Sequence, residues 1–339
     1  MMNQLREHHR NEETKEGSAV VTLEDDRLVF RMPQVHEQAE FTLEFQRTLR
    51  IPDDGRRHFL PPGLGRFPLE LVDDFSDKTP QAWSQHGGVF FPMYQAEAMW
   101  INFSGDYPMA VKVTAGKINA LTGEEWTDGL IEEPQDYLVV PDQPWLDGFC
   151  VKRGLIRQFV AMPLGAGYTA EEQLTEEARH GGVQITVYPM KASEYEARQG
   201  RVGSHAFEDV MYCMAPASMD MGLAPGGLMT QEIYEDDYGI EVWDTEASAR
   251  CFVHIVNSVQ YFTVCGVSPP DKPPTARQYT DAGLPWFDYY GGDLTALEGA
   301  KKLANLDSVT ARRIREGRVV RQEGPLGPVL VNPLSLGDR

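Results

Sequence analysis

Cysteine is scarce in this chain. Four residues in 339, Cys150, Cys213, Cys251 and Cys265, form no CxxC pair, which argues against a disulfide-built scaffold. A Cys251–Cys265 bridge stays open on spacing alone. Basic charge is also short: 31 Lys and Arg face 51 Asp and Glu, a net charge of −20. Such a field repels nucleic-acid phosphate and anionic lipid, so no nucleic-acid partner is expected. Long apolar runs are missing. The best stretches, 137–141 and 252–256, fall far below the ~20 residues of a membrane helix, so no membrane insertion is expected. The first 17 residues, MMNQLREHHRNEETKEG, hold no apolar core of a secretory signal, and the expected location is cytoplasmic. Phosphate-loop, dinucleotide, nucleophile-elbow, HExxH and EF-hand patterns are all absent, so no metal and no cofactor are expected.

What is present is alternation. Phe41, Leu43 and Phe45 share one face of 39–45 while Glu40, Thr42 and Glu44 share the other, the period of a half-buried antiparallel strand. Similar short runs recur at 19–23, 27–32, 98–103, 109–114, 137–140, 156–160 and 183–188. Phe252 through Val264 reads as two strands broken near Asn257-Ser258, because β-branched residues dominate. The segment 211–229 has no period, and 191–204 reads as a polar connection. Only two regions switch to a helical rhythm. Thr169 followed by Glu172 is a capping box opening a short helix toward Gly181, and Leu294, Leu297, Leu303, Leu306, Val309 and Ile314 recur at helical spacing over 293–316.

The predicted fold class is therefore α+β, dominated by antiparallel sheet in a sandwich or barrel-like arrangement, with one short central helix and a C-terminal helical region. Residues 1–17 are read as a disordered arm, 18–292 as a β-rich core, 293–316 as helical and 317–339 as an extended tail. The core is one large domain or two tandem β units dividing near 190–205.

One short tag occurs twice: His86-Gly-Gly-Val and His180-Gly-Gly-Val. Glycine pairs expose the backbone and let the preceding side chain reach a cleft, which makes His86 and His180 the leading functional histidines. No two histidines have the i, i+2 or i, i+4 spacing of a mononuclear metal site. The acidic run Glu232, Glu235, Asp236, Asp237, Glu241, Asp244 supplies carboxylates, and Glu232, Glu235 and Asp237 are the candidates for acid–base chemistry with such a histidine. Cys251 and His254 sit three apart, on opposite faces of a strand, and cannot pair. The methionine-rich stretch Met211, Cys213, Met214, Met219, Met221 reads as adaptable packing. Large rings stand beside prolines and glycines at Trp145 and at Trp286, Phe287, Tyr289 and Tyr290, composition that suits an interface.

Two function classes follow. The leading expectation is a non-catalytic binding or assembly protein whose partner is a protein or a second copy, met through the aromatic loops. The alternative is a small-molecule hydrolase or isomerase using carboxylates from 232–244 with a histidine.

Overall fold

The computed structural model describes residues 19–198, 219–290, 294–318, 326 and 330–335. The 1–17 arm, His205, Met211, Cys213, Met214 and most of the 317–339 tail lie outside the described residues, as does much of the boundary placed near 190–205.

The fold is mixed α+β and dominated by one large antiparallel sheet. Its principal strands are β1 (Val20–Glu24), β2 (Arg27–Arg31), β3 (Glu40–Thr48), β4 (Val89–Met93), β5 (Ala98–Ser104), β6 (Met109–Ala115), β7 (Leu155–Pro163), β8 (Val183–Pro189), β9 (Asp220–Met229) and β10 (Ala249–Asn257). Antiparallel pairing runs β1–β2–β3–β5–β7–β9–β10–β8–β6. β4 joins the free edge of β10 in parallel. A separate parallel pair joins β11 (Trp286–Tyr290) to β12 (Val331–Ser335).

The alternation in β3 does what its pattern requires: Phe41, Leu43 and Phe45 are fully buried in the main core. β6 and β8 are buried along their whole length, so their polar residues need internal partners. Lys112 finds Asp136 at 2.6 Å, and elsewhere Arg47 pairs with Glu97 at 2.7 Å. Asp147 has no such cation among the described residues. It is 3% exposed, its Oδ2 has no hydrogen-bond partner among the described residues, and burial pushes its carboxyl up to about 7.

The capping box at Thr169 forms as expected, with the Glu172 N–H donating to Oγ1 at 3.2 Å and the Thr169 N–H donating back to Oε2 at 3.1 Å. Seven α-helices are formed among the described residues: α1 (Gln81–His86), α2 (Ala170–Thr175, the capped helix), α3 (Ala192–Arg198), α4 (Ser258–Cys265), α5 (Ala276–Asp281) and the C-terminal pair α6 (Lys301–Ala304) and α7 (Val309–Arg315). Of these, α1, α3, α4 and α5 lie outside the two expected regions.

Three readings are corrected. Residues 192–198, read as part of a polar connection, form helix α3. The second half of 252–264 is helix α4 rather than strand. Asn257 is its N-cap, accepting from the Val259 N–H at 3.1 Å, and the apolar residues Tyr261 and Val264 face a small core with Trp83 and Phe90. Cys251 and Cys265 consequently remain free thiols. The aperiodic end of 211–229 is strand β9. Its glycines are packing sites: a Cβ at Gly226 would lie 2.6 Å from Val160, and one at Gly227 would lie 2.4 Å from the Pro52 carbonyl. A strand pressed this closely by neighbours cannot carry an alternating side-chain pattern.

Candidate functional site at the paired histidine turns

The two His-Gly-Gly-Val tags converge on one point of β10. Val89, opening β4, and Val183, opening β8, both register on Val253, one from each edge of the strand. The glycines make this approach feasible. Gly87 and Gly88 have φ of 65° and 86°, and Gly181 and Gly182 have 57° and 54°. A Cβ at Gly88 would stand 2.0 Å from the Phe252 carbonyl oxygen, and one at Gly182 would stand 2.4 Å from that of Val253. Only glycine tolerates that backbone with that contact.

The histidines preceding the glycines are thereby brought together, their ring centroids 6.4 Å apart. His86 lies stacked on Phe252 at 4.7 Å. A third imidazole, His254, stacks on Trp83 at 4.7 Å, and its Nε2–H donates to the Gly87 carbonyl at 3.1 Å, which fixes the tautomer. Glu171 secures the second turn by accepting the N–H groups of His180 and Gly181 at 3.1 and 2.9 Å.

Asp220 lines the same cleft, along with Trp83, His86, His180, His254, Arg179 and Gln184. The Trp83 indole N–H donates to its Oδ2 at 3.4 Å. Its Oδ1 is buried with no hydrogen-bond partner among the described residues. Burial pushes this carboxyl up to about 6. Burial, reinforced by Lys117, His86 and Arg179, lowers His180 from its ordinary value. Burial also pushes His254 down to about 4. At neutral pH the cleft therefore holds neutral His180 and His254 beside a carboxylate that titrates close by. The cavity is small, about 20 Å³, room for a water molecule or the tip of a ligand. Its rim residues His86 and Arg179 are exposed.

A larger depression of about 740 Å³ lies between α2 and the C-terminal helices. Its cations are already matched, Lys302 by Glu124, Arg312 by Glu316 and Arg315 by Asp307, so volume alone distinguishes it.

None of Glu232, Glu235 and Asp237 lines the cleft at His180. Trp243, near the end of the acidic run, bridges to Met190 beyond the C-terminal end of β8, whereas His180 precedes its start. The seven residues of β8 hold these ends ~20 Å apart at ~3.3 Å per residue. Glu235 and Asp237 are exposed and Glu232 is half-buried. Their neighbour Asp236 is the engaged member, accepting from Tyr137 Oη at 2.7 Å and Trp243 Nε1 at 2.8 Å. Among the described residues no three His, Cys, Asp or Glu side chains are placed to hold a metal.

The aromatic candidates fall on two elements, Trp145 ahead of β7 and the other four on β11. Trp286 is 1% exposed, and its indole N–H donates to Thr280 Oγ1 at 3.1 Å. Trp145 is half-buried, edge-on to Trp100 at 6.4 Å. Phe287 is half-buried and its backbone bridges to Leu60. The side chains of Tyr289 and Tyr290 lie outside the described residues. Asp220, Trp83 and Phe252 carried no local sign in the sequence. The repeated tag was the available signal, and it marked the histidines without indicating the strand between them.

No protein-family model matches the chain, and neither a curated protein nor a solved structure matches it. Among the described residues no helix is long and apolar enough to cross a membrane.

Proposed function

We propose that the protein binds a small polar molecule at the paired histidine turns and transfers a proton on it, with His180 and Asp220 as the acid–base pair. One observation carries this reading: two imidazoles and a buried, incompletely bonded carboxylate meet where both turns press on β10. General acid–base chemistry needs groups whose proton affinities lie near the working pH, and Asp220 at about 6 beside a depressed His180 meets that need. Above pH 6 Asp220 is the base that takes a proton from the ligand, and neutral His180 is the acid that donates its ring N–H to a second ligand atom. The carboxylate differs from those expected in the acidic run, while the class of chemistry is the same.

The test is a ligand-observed NMR screen of small polar fragments against the wild type, Asp220→Asn and His180→Ala, with folding checked by circular dichroism. Fragments that bind the wild type and lose binding in both variants support the reading. Fragments that bind all three proteins equally, or none that bind the wild type, refute it.

A second reading, non-catalytic binding or self-association, draws support from exposed apolar residues on and after α4, Phe262 at 58% and Val267 at 51% exposure, since such surface favours contact with a partner. Light scattering coupled to size exclusion decides it: a mass of 38.1 kDa at low and physiological salt removes the self-association reading.

A further inference from the structure

The face of β10 that carries His254 also carries Phe252 and Arg250, since alternate residues share a face. β8 sets Gln184 opposite Phe252 and Thr186 opposite Arg250, and β6 sets Lys112 opposite Thr186. The two cations on this face are treated differently. Lys112 is fully engaged, by Asp136 at 2.6 Å and by the carbonyls of Thr127 at 2.9 Å and Gly129 at 2.6 Å. Arg250 stacks on the Trp126 ring at 3.8 Å and the Phe252 ring at 4.6 Å, and one amino group donates to Gln184 Oε1. No carboxylate lies within ion-pair distance of it among the described residues. Asp128 acts on it only at range and accepts the Gly129 N–H.

Three buried polar atoms around this guanidinium have no hydrogen-bond partner among the described residues: Arg250 Nε, Trp126 Nε1 and Thr186 Oγ1. All three can donate. Buried donors in folded proteins are nearly always satisfied, and three on mutually stacked or cross-strand residues call for an acceptor-only group. Both nitrogen donors belong to planar groups stacked on one another, an arrangement suited to a planar acceptor. A doubly charged phosphate is disfavoured by the protein's charge of −20 and by nearby Asp128.

We propose that Arg250, Trp126 and Thr186 form the binding site for the carboxylate of a small organic acid. The guanidinium supplies the charge and an N–H, the indole a second N–H, and the hydroxyl a third donor. Phe252 lies 4.6 Å from Arg250 and 4.7 Å from His86, so an acid of a few carbons anchored at Arg250 extends past the edge of this ring toward the histidine turns. That extension rests on the function proposed above; the carboxylate site does not.

The test follows the indole N–H resonances of the 15N-labelled protein, with Trp126 assigned through Trp126→Phe. Acetate, succinate and benzoate are titrated against acetamide, benzamide and inorganic phosphate. The expected result is a saturable shift of the Trp126 resonance with at least one carboxylate and with neither amide. Arg250→Lys keeps the charge but removes the Nε–H fork and should weaken binding by ~10-fold, the scale of one charge-assisted hydrogen bond; Thr186→Val should weaken it less. A Trp126 resonance indifferent to every carboxylate overturns the proposal. So does equal response to the amides, response to phosphate alone, or undiminished affinity in Arg250→Lys. A Trp126 shift with no accompanying change at His86 or His180 leaves the carboxylate site standing and removes its link to the histidine turns.

Discussion

Asp147→Asn isolates the effect of one buried carboxyl on stability. The side chain is held by its own backbone: its N–H donates to Gln231 Oε1 at 3.0 Å and its carbonyl accepts from the Phe159 N–H at 3.0 Å. The carboxyl is therefore kept out of water whether or not it is ionised. Burial raises it from 3.8 to about 7, so between those values the folded protein binds more protons than the unfolded chain. Stability must then fall as pH rises through that window and level off above it. At ~1.4 kcal/mol per pH unit the ceiling is ~4 kcal/mol, and relaxation of the surroundings brings it to ~2 kcal/mol. Asparagine has nearly the same shape and does not titrate. Urea unfolding of both proteins from about pH 4 to about pH 7.5 should show the Asn variant gaining ~2–4 kcal/mol on the wild type. His254 acts in the opposite sense. Its value of about 4 lies below that of the unfolded chain, so it adds stability as pH rises toward 6.5, equally in both proteins, and cancels from the difference. A difference constant across the range would refute the burial argument.

Three other expectations can be checked by the same methods. Gly88→Ala, with its Cβ 2.0 Å from a carbonyl and φ of 86°, should cost ~3 kcal/mol or more. Gly55→Ala has a similar φ of 76° but nothing within 4 Å, and should cost only ~1–2 kcal/mol; equal losses would refute the close-approach argument. Lys112→Met strands Asp136 without its cation and should cost ~3–5 kcal/mol, while Lys112→Met with Asp136→Leu should recover much of that, and a double variant no more stable than the single would count against it. The His254 ring resonances should titrate only near pH 4, and a midpoint near 6.5 would show that the ring is not buried against Trp83 as described.

The features legible in sequence were those whose cause is local. The Phe41–Leu43–Phe45 alternation, the Thr169–Glu172 capping box and the leucine spacing near the C-terminus all act within one element. Helix α4 was hidden because its β-branched residues favour strand, and a single cap at Asn257 with burial against Trp83 outweighed that preference. Helix α5 also has a local cause, the capping box formed by Thr275 and Gln278. β9 was hidden because its glycines answer to neighbours distant in sequence. The candidate site divides in the same way. The repeated tag pointed to His86 and His180, whereas the placement of Asp220 beside them depends on β10 carrying both turns, and no local pattern encodes that.

The dual grip of the two turns on Val253 has a kinetic consequence. The contacts that build the cleft join residues near 88, 182 and 253, so no contiguous stretch of this chain can assemble it alone. Closing loops of that length is slow compared with forming the β1–β2 hairpin. The cleft should therefore be among the last parts of the molecule to appear during folding, and quenching of Trp83 by His254 would time its completion.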